Sequence, residues 1–197
     1  MIAIVDYRAG NLTSVKKAFD HIGAESVVTC DPEVVGRARK IVLPGVGHFA
    51  ATCMLTGSGL REAIARGIEA GIPFLGICVG MQWMLAGSAE APNVQGLGIW
   101  PGECERFPAE VKSPHVGWNQ LQVSNRRWRL LSGIASGAFV YFTHSYRVPL
   151  LEATAAEAEY GGTFSAVVER DSLFGVQFHP EKSGAVGLKL LENFCGV

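Results

Sequence analysis

Pro73-Phe74-Leu75-Gly76-Ile77-Cys78-Val79-Gly80-Met81-Gln82 is the stretch on which the reading of the fold turns. An apolar run, Phe74 to Ile77, stops at a cysteine with a glycine two residues before it and another two residues after it. Strands buried on both faces read as short continuous apolar runs. The run therefore predicts a strand ending at the thiol, with a helix over Met81 to Ala86 after it. Gly-x-nucleophile-x-Gly is the spacing of a strand-to-helix elbow, here with Cys in place of Ser. Such a turn strains the central residue, and neighbours without Cβ atoms relieve the crowding. A thiol there sits at a helix N-terminus, where the dipole and free N–H groups favour a thiolate and can hold an oxyanion. A core cysteine beside two ordinary glycines has the same spacing, so the catalytic reading requires a base elsewhere in the chain.

Upstream of the elbow the pattern alternates between strand and helix. Ile2 to Val5 reads as a buried strand. Leu12, Val15, Ala18, Phe19 and Ile22 keep helical spacing, with Asn11 in position to cap and Gly23 to terminate. Ser26 to Thr29 is a second strand, Asp31-Pro32-Glu33 a capped helix start, and Lys40 to Leu43 a third strand. Leu60 to Ala70 is an amphipathic helix closed by Gly71. A β-α-β-α-β order argues for a parallel sheet. Pro44-Gly45-Val46-Gly47-His48 follows the third strand directly, at the strand end where open α/β sheets build their sites.

Past Gly87 the texture changes to short strand-like runs: Gly96 to Trp100, Glu103 to Phe107, Val116 to Val123, Ala138 to Phe142, Ser145 to Val148, Phe164 to Glu169 and Ser172 to Phe178. Gly184 to Phe194 reads as a last helix. The expectation is an α/β fold in one domain over residues 1–197. Its central sheet is mostly parallel or mixed, flanked by helices, with antiparallel hairpins added.

Composition narrows the function classes. At 197 residues, 48% hydrophobic and 18% charged, the chain is ordinary for a globular protein. A net charge of −1 gives no general reason to expect nucleic acid or an anionic membrane as partner. Cys30, Cys53, Cys78, Cys104 and Cys195 are odd in number and contain no C-x-x-C pair, which argues against a disulfide framework or zinc site. A reducing, cytoplasmic setting follows, and no metal or cofactor is expected. No apolar run is long enough to cross a membrane.

The base is found near the C-terminus, in Phe178-His179-Pro180-Glu181. In extended backbone, residues two apart share a face. Glu181 can then hold one imidazole nitrogen of His179 while the other faces a thiol, the nucleophile–base–orienter logic of a triad. A surface His beside a surface Glu is the alternative for that pair taken alone. Of the other histidines, His21 reads as solvated on its helix and His48 as a loop residue near the site.

Gly76 to Gln82 together with His179-Pro180-Glu181 resembles the class I, triad-type glutamine amidotransferases, with Pro44 to Gly47 similar to their oxyanion loop. Asp6-Tyr7, Gly10-Asn11, Pro114-His115-Val116-Gly117-Trp118-Asn119, His144-Ser145-Tyr146 and Lys182-Ser183-Gly184 resemble the glutaminase subunits of imidazole glycerol phosphate synthase. Val79 and Val116 stand where Leu and Met would be expected, and both keep the apolar character.

The resemblance implies hydrolysis of glutamine by Cys78, His179 and Glu181, with oxyanion donors from Val79 and from Gly45, Val46 and Gly47. It implies that Gln82, Glu90, His144, Ser145 and Tyr146 hold the amino-acid end of glutamine. It further implies a separate (β/α)8-barrel cyclase subunit that takes the ammonia into histidine biosynthesis. Asn11, Pro114, His115, Val116, Trp118, Asn119 and Lys182 are expected to face that partner. Readings still open at this level are a glutaminase of the anthranilate synthase or pyridoxal phosphate synthase type, a cysteine peptidase or DJ-1-like protein, and a binding protein with a structural cysteine.

Overall fold

A computed structural model describes residues 1–197. The N-terminal half runs β1 (Ile2–Val5), α1 (Leu12–His21), β2 (Ser26–Thr29), α2 (Pro32–Gly36) and β3 (Lys40–Gly45). A 3-10 turn (Phe49–Thr52), α3 (Cys53–Gly57), α4 (Leu60–Glu69), β4 (Phe74–Cys78) and α5 (Val79–Gln82) follow. β1 and β4 are buried at every position, as their continuous apolar runs require. α1 buries Val15, Ala18 and Phe19, and α4 buries Leu60, Ala63 and Ile64, the stripes that helical spacing places against a sheet. The Asp31 carboxylate accepts the Glu33 N–H at 2.8 Å with Pro32 behind it, so α2 is capped as expected. Asn11 departs from expectation. It occupies the N-cap of α1 but makes no side-chain cap bond, and its ψ of 59° lies outside the extended range typical of capping residues.

The C-terminal half runs β5 (Leu85–Ser88), β6 (Trp100–Arg106), β7 (His115–Gln120), β8 (Gln122–Val123), β9 (Phe139–His144), β10 (Tyr146–Arg147), β11 (Thr154–Glu159), β12 (Thr163–Arg170) and β13 (Leu173–Val176). A 3-10 turn (Pro180–Lys182) and α6 (Gly184–Gly196) close the chain. The main sheet has the order β2-β1-β3-β4-β13-β12-β11-β8. Pairing is parallel from β2 to β13 and antiparallel beyond. Two small sheets stand beside it, β10-β6-β5 and the antiparallel ribbon β7-β9.

Strands β11 to β13, paired antiparallel, are added to the edge of the parallel core as expected, within the main sheet. Two sequence expectations are corrected. The segment after the elbow is helical only over Val79–Gln82, and Leu85–Ser88 is a strand paired in parallel with β6 rather than the end of a helix. The strand expected over Gly96 to Trp100 begins only at Trp100. Gly96 is instead pressed against the backbone of β5, where a Cβ would stand 2.0 Å from the Leu85 carbonyl oxygen.

Candidate active site

β4 presents Cys78 with φ 53° and ψ −107°, a left-handed φ carried by a residue with a side chain. Holding such a residue costs roughly 1–3 kcal/mol, supplied by the packing around it. The glycines make that packing possible. A Cβ on Gly76 would lie 2.5 Å from the Gly80 carbonyl oxygen, and one on Gly80 would lie 1.8 Å from the Leu43 carbonyl oxygen. The Gly-x-Cys-x-Gly spacing is therefore a steric requirement of the turn.

β3 brings a second segment alongside. Gly45 pairs with Cys78 in register, and a Cβ on Gly45 would meet the Tyr7 hydroxyl at 2.5 Å. Pro44 and Gly45 belong to the strand, so the loop starts two residues later than expected, at Val46. Gly47 has φ 105°. Neither the Val46 nor the Gly47 N–H donates to a protein atom, which leaves two backbone donors free at the rim of a cavity.

β13 runs parallel to β4 with Val176 opposite Ile77, so the chain leaving β13 passes beside the elbow. Three residues past the end of β13 is His179, whose Nδ1 lies 2.9 Å from Glu181 Oε1, with both side chains 1% exposed. The His179 N–H donates to Tyr141 O, the Tyr141 N–H donates to Ser183 Oγ, and Ser183 Oγ donates to His179 O. The imidazole is thus held through its backbone on both sides. Burial pulls its pKa down, but Cys78 and Glu181 more than offset this and hold it above the usual histidine value. Nε2 of His179 and Oε2 of Glu181 are buried with no hydrogen-bond partner. Unpaired buried polar atoms are costly and are tolerated where chemistry needs them.

A cavity of about 400 Å3 opens at Cys78 and Val79. Val46 and Gly47 border it, as do Gln82, Glu90, Ser145 and the buried His144. Glu90 is fixed by the Phe49 N–H, 2.7 Å from its Oε2. Gln82 spends its amide nitrogen on Tyr146 O at 2.8 Å and Gln177 Oε1 at 3.2 Å. Only its oxygen remains for a ligand. His144 is turned inward. Its Nδ1 faces Tyr146 O at 2.9 Å and its Nε2 faces His115 Nδ1 at 3.2 Å, so its ring nitrogens are not available to the cavity. A larger cavity, about 480 Å3, lies beyond the opposite end of β4, among Trp100, Trp128 and several arginines. It contains no nucleophile, so chemistry rather than size assigns the site.

The β7–β9 ribbon adjoins this cavity through Pro114 and Thr143. Its register sorts side chains cleanly. Val116, Trp118 and Gln120 lie opposite Thr143, Tyr141 and Phe139 on one face, and Val116, Trp118 and Phe139 are each more than half exposed. Lys182 lies over the Tyr141 ring at 5.7 Å. His115, expected on the partner-facing surface, is instead buried on the inner face and stacks on Tyr160 and Phe142. Asn119 shares that inner face, and its Nδ2 donates to Glu159 O. Asn11 is half-buried, away from the ribbon in sequence, at the start of α1.

Two residues at the site were not among the sequence candidates. Thr143 offers its carbonyl to Cys78 Sγ at 4.0 Å. Gln177 donates from Nε2 to the same sulfur at 3.6 Å. The signal for Gln177 was present: it stands two residues before His179, on the same face of an extended segment. No cluster of three or more His, Cys, Asp or Glu side chains is arranged to hold a metal ion. No helix is long and apolar enough to cross a membrane.

Comparison with known proteins agrees with this geometry. The family model described as glutamine amidotransferase class-I matches residues 3–196. The imidazole glycerol phosphate synthase subunit HisH of Syntrophotalea carbinolica is 49% identical, with 98% of each chain covered. Those of Geobacter sulfurreducens and Methanothermobacter thermautotrophicus are 50% and 46% identical, covering 98% and 100% of this chain and 97% and 98% of theirs. Among solved structures, a crystal structure of a glutamine amidotransferase superposes with a TM-score of 0.77 at 20% identity over all of both chains. The PurLQS structure from Thermotoga maritima gives 0.74 at 19%, covering 99% and 97%. The two structural likenesses speak for the fold, and the near full-length sequence matches for the family: the chain belongs to the class-I glutamine amidotransferases and, within them, to the HisH glutaminase subunits of imidazole glycerol phosphate synthase, an enzyme of histidine biosynthesis.

Proposed function

We propose that Cys78, His179 and Glu181 form the triad that hydrolyses glutamine, within a single glutaminase domain spanning residues 1–197. The observation that carries the reading is the strained cysteine at the cavity together with the fully buried His179–Glu181 pair. The Cys78 thiolate attacks the side-chain amide carbon of glutamine, and the carbonyl becomes an oxyanion. N–H groups of Val79 and of the Gly45-Val46-Gly47 segment receive that charge; one such donor is worth about 2.7–4 kcal/mol of barrier. His179, carrying a proton, gives it to the leaving nitrogen as the C–N bond breaks. Ammonia departs and a thioester remains. Nε2 then takes a proton from water, the hydroxide adds to the thioester carbon, and glutamate leaves as the thiolate reforms. Glu181 holds the tautomer and balances the imidazolium throughout.

At the other end of the substrate, the Glu90 carboxylate and the free Gln82 oxygen suit an ammonium group. The backbone from His144 through Ser145 to Tyr146 suits a carboxylate, since the His144 ring is engaged elsewhere.

The relatives' name, a subunit of a synthase, supports a second chain as partner. In this reading it is a (β/α)8-barrel cyclase that forms a heterodimer with this subunit and receives the ammonia. The outer face of the ribbon is its seat, with Pro114, Val116, Trp118 and Lys182 in contact, Asn119 behind them, and Asn11 at the margin. The setting is cytoplasmic, a reading supported by five cysteines that are all unpaired.

Replacing Cys78 with Ala tests the whole reading. Glutamine-dependent synthesis by the reconstituted complex is expected to vanish while ammonium salts still support it. A Cys78→Ala protein that hydrolyses glutamine normally would refute the triad.

A further inference from the structure

We infer that Gln177 is a positioning residue for the reaction, with its side-chain N–H aimed at Cys78 Sγ. The inference rests on Cys78 being the nucleophile. Gln177 is completely buried, directly after β13 and two residues before His179. Its Nε2 lies 3.6 Å from the sulfur and its Oε1 3.2 Å from Gln82 Nε2.

A buried amide can point either way, so the argument depends on what sets its direction. A single group does this. Tyr146 O is a carbonyl and can only accept. Gln82 Nε2, 2.8 Å from it, must donate. The second hydrogen of that nitrogen then goes to Gln177 Oε1, which leaves the Gln177 nitrogen facing the sulfur. Turning Gln177 over would set two donors against each other and an oxygen against a thiolate. Turning both glutamines would set Gln82 Oε1 against Tyr146 O.

The same carbonyl is held on its other side. His144 Nδ1–H donates to it, His115 Nδ1–H donates to His144 Nε2, and the Asn119 amide lies 3.5 Å from His115 Nε2. Burial keeps both imidazoles neutral, as this sequence of single donors requires. The Tyr146 carbonyl is therefore held from both sides by bonds of one direction, and it imposes the donor orientation on Gln177. An N–H aimed at the sulfur limits its rotation about Cβ and is in place to receive negative charge there during the reaction, so the nucleophile is aimed before glutamine arrives.

Gln177→Met is the test, because methionine keeps the volume and removes the donor. In the complex with the cyclase, iodoacetamide labelling of the Cys78 peptide at neutral pH, read by mass spectrometry, is expected to fall about tenfold. The kcat for glutamine is expected to fall by a similar factor while KM holds, with a lower thermal midpoint because the buried Gln82 N–H loses its acceptor. The other titratable neighbours of the sulfur (Tyr7, Cys104, His179 and, along the cavity, Glu90, His48 and His144) are the same in both proteins. Wild-type labelling and wild-type kcat in folded Gln177→Met would overturn the role. If that protein does not fold, Gln177→Asn withdraws the amide by one methylene. Slowed labelling supports the role and unchanged labelling overturns it. The Cys78→Ala control separates the two readings. Glutaminase activity surviving there removes the nucleophile itself, whereas its loss beside an unaffected Gln177→Met removes only the role of Gln177.

Discussion

Gly80 packs against Leu43 so closely that a methyl group on its α-carbon would stand 1.8 Å from the Leu43 carbonyl oxygen. The atom in the way is backbone of β3, in the middle of the sheet, and cannot move aside as a flexible side chain can. Gly80→Ala is therefore expected to destabilise the protein by about 3 kcal/mol or to prevent folding. Chemical denaturation of purified protein measures it. A midpoint within error of wild type would show that β3 and β4 can part locally.

Glu181→Gln keeps the size of the side chain that faces His179 Nδ1 but removes its charge and lets an N–H take the place of an acceptor. The imidazole then loses its favoured tautomer and its counter-charge. Glutaminase kcat is expected to fall by roughly two to four orders of magnitude with little change in KM. Steady-state assays of the complex decide this. A KM effect alone would make Glu181 a residue that shapes the cavity.

Trp118→Ala removes a large side chain that is 55% exposed and touches the Tyr141 ring edge-on. Little folding energy depends on it. Where such a residue seats a partner, truncation costs about 2 kcal/mol of binding, a roughly 30-fold weaker complex. Calorimetry with the cyclase subunit reads the affinity, and a thermal melt reads the fold. Unchanged affinity would move the seat away from the β7–β9 ribbon.

Acid stability follows from the paired histidines. Burial lowers His115 to about 4, and lowers His144 to about 3, with His115 and His179 adding to the effect on His144. In the unfolded chain both titrate near 6.5. Between 6.5 and 4 the unfolded chain binds more protons, so stability falls as the pH falls through this window. His144 alone accounts for on the order of 2 kcal/mol by about pH 4.5. His179 acts elsewhere. Its folded value is raised, so its contribution is complete below 6.5 and is lost as the pH climbs above that. Phenylalanine at position 115 keeps the stacking on Tyr160 and Phe142 but does not titrate. The stability of His115→Phe should drop less between pH 7 and 4.5 than that of wild type, measured by urea denaturation. Parallel losses would show that the pair titrates normally in the fold.

Several of these features can be read from the sequence because their causes are local. Gly76 and Gly80 flank Cys78 because no other residue fits; the His179–Glu181 pair was also legible, though not for the expected reason, since a 3-10 turn over Pro180–Lys182 rather than extended backbone brings the carboxylate to Nδ1. Other features depend on distant pairing. Leu85-Ala86-Gly87-Ser88 continues a helical pattern and becomes a strand only because β6, beginning at Trp100, lies beside it. Thr154 to Glu159 alternates Ala with Glu, both weak strand formers. It is a strand because it pairs antiparallel with β12 on one side and β8 on the other, burying Ala155, Ala156 and Ala158. His115 looks like a surface residue in Pro114-His115-Val116, and only the β7–β9 register turns it inward. Gln177 was overlooked because its importance lies in the direction of an amide, which the distant Tyr146 carbonyl sets through Gln82.

The ribbon that carries Trp118 is also the strand that holds His179 in place. Tyr141 points its ring outward beside Trp118, while its own N–H and C=O are tied to Ser183 and to the His179 peptide. Mechanically, β9 is a lever whose long arm lies on the outer surface and whose short arm ends at the His179 peptide. A load on the aromatic face cannot shift the strand without carrying the base with it, so the alignment of His179 with Cys78 is open to adjustment from outside the cavity.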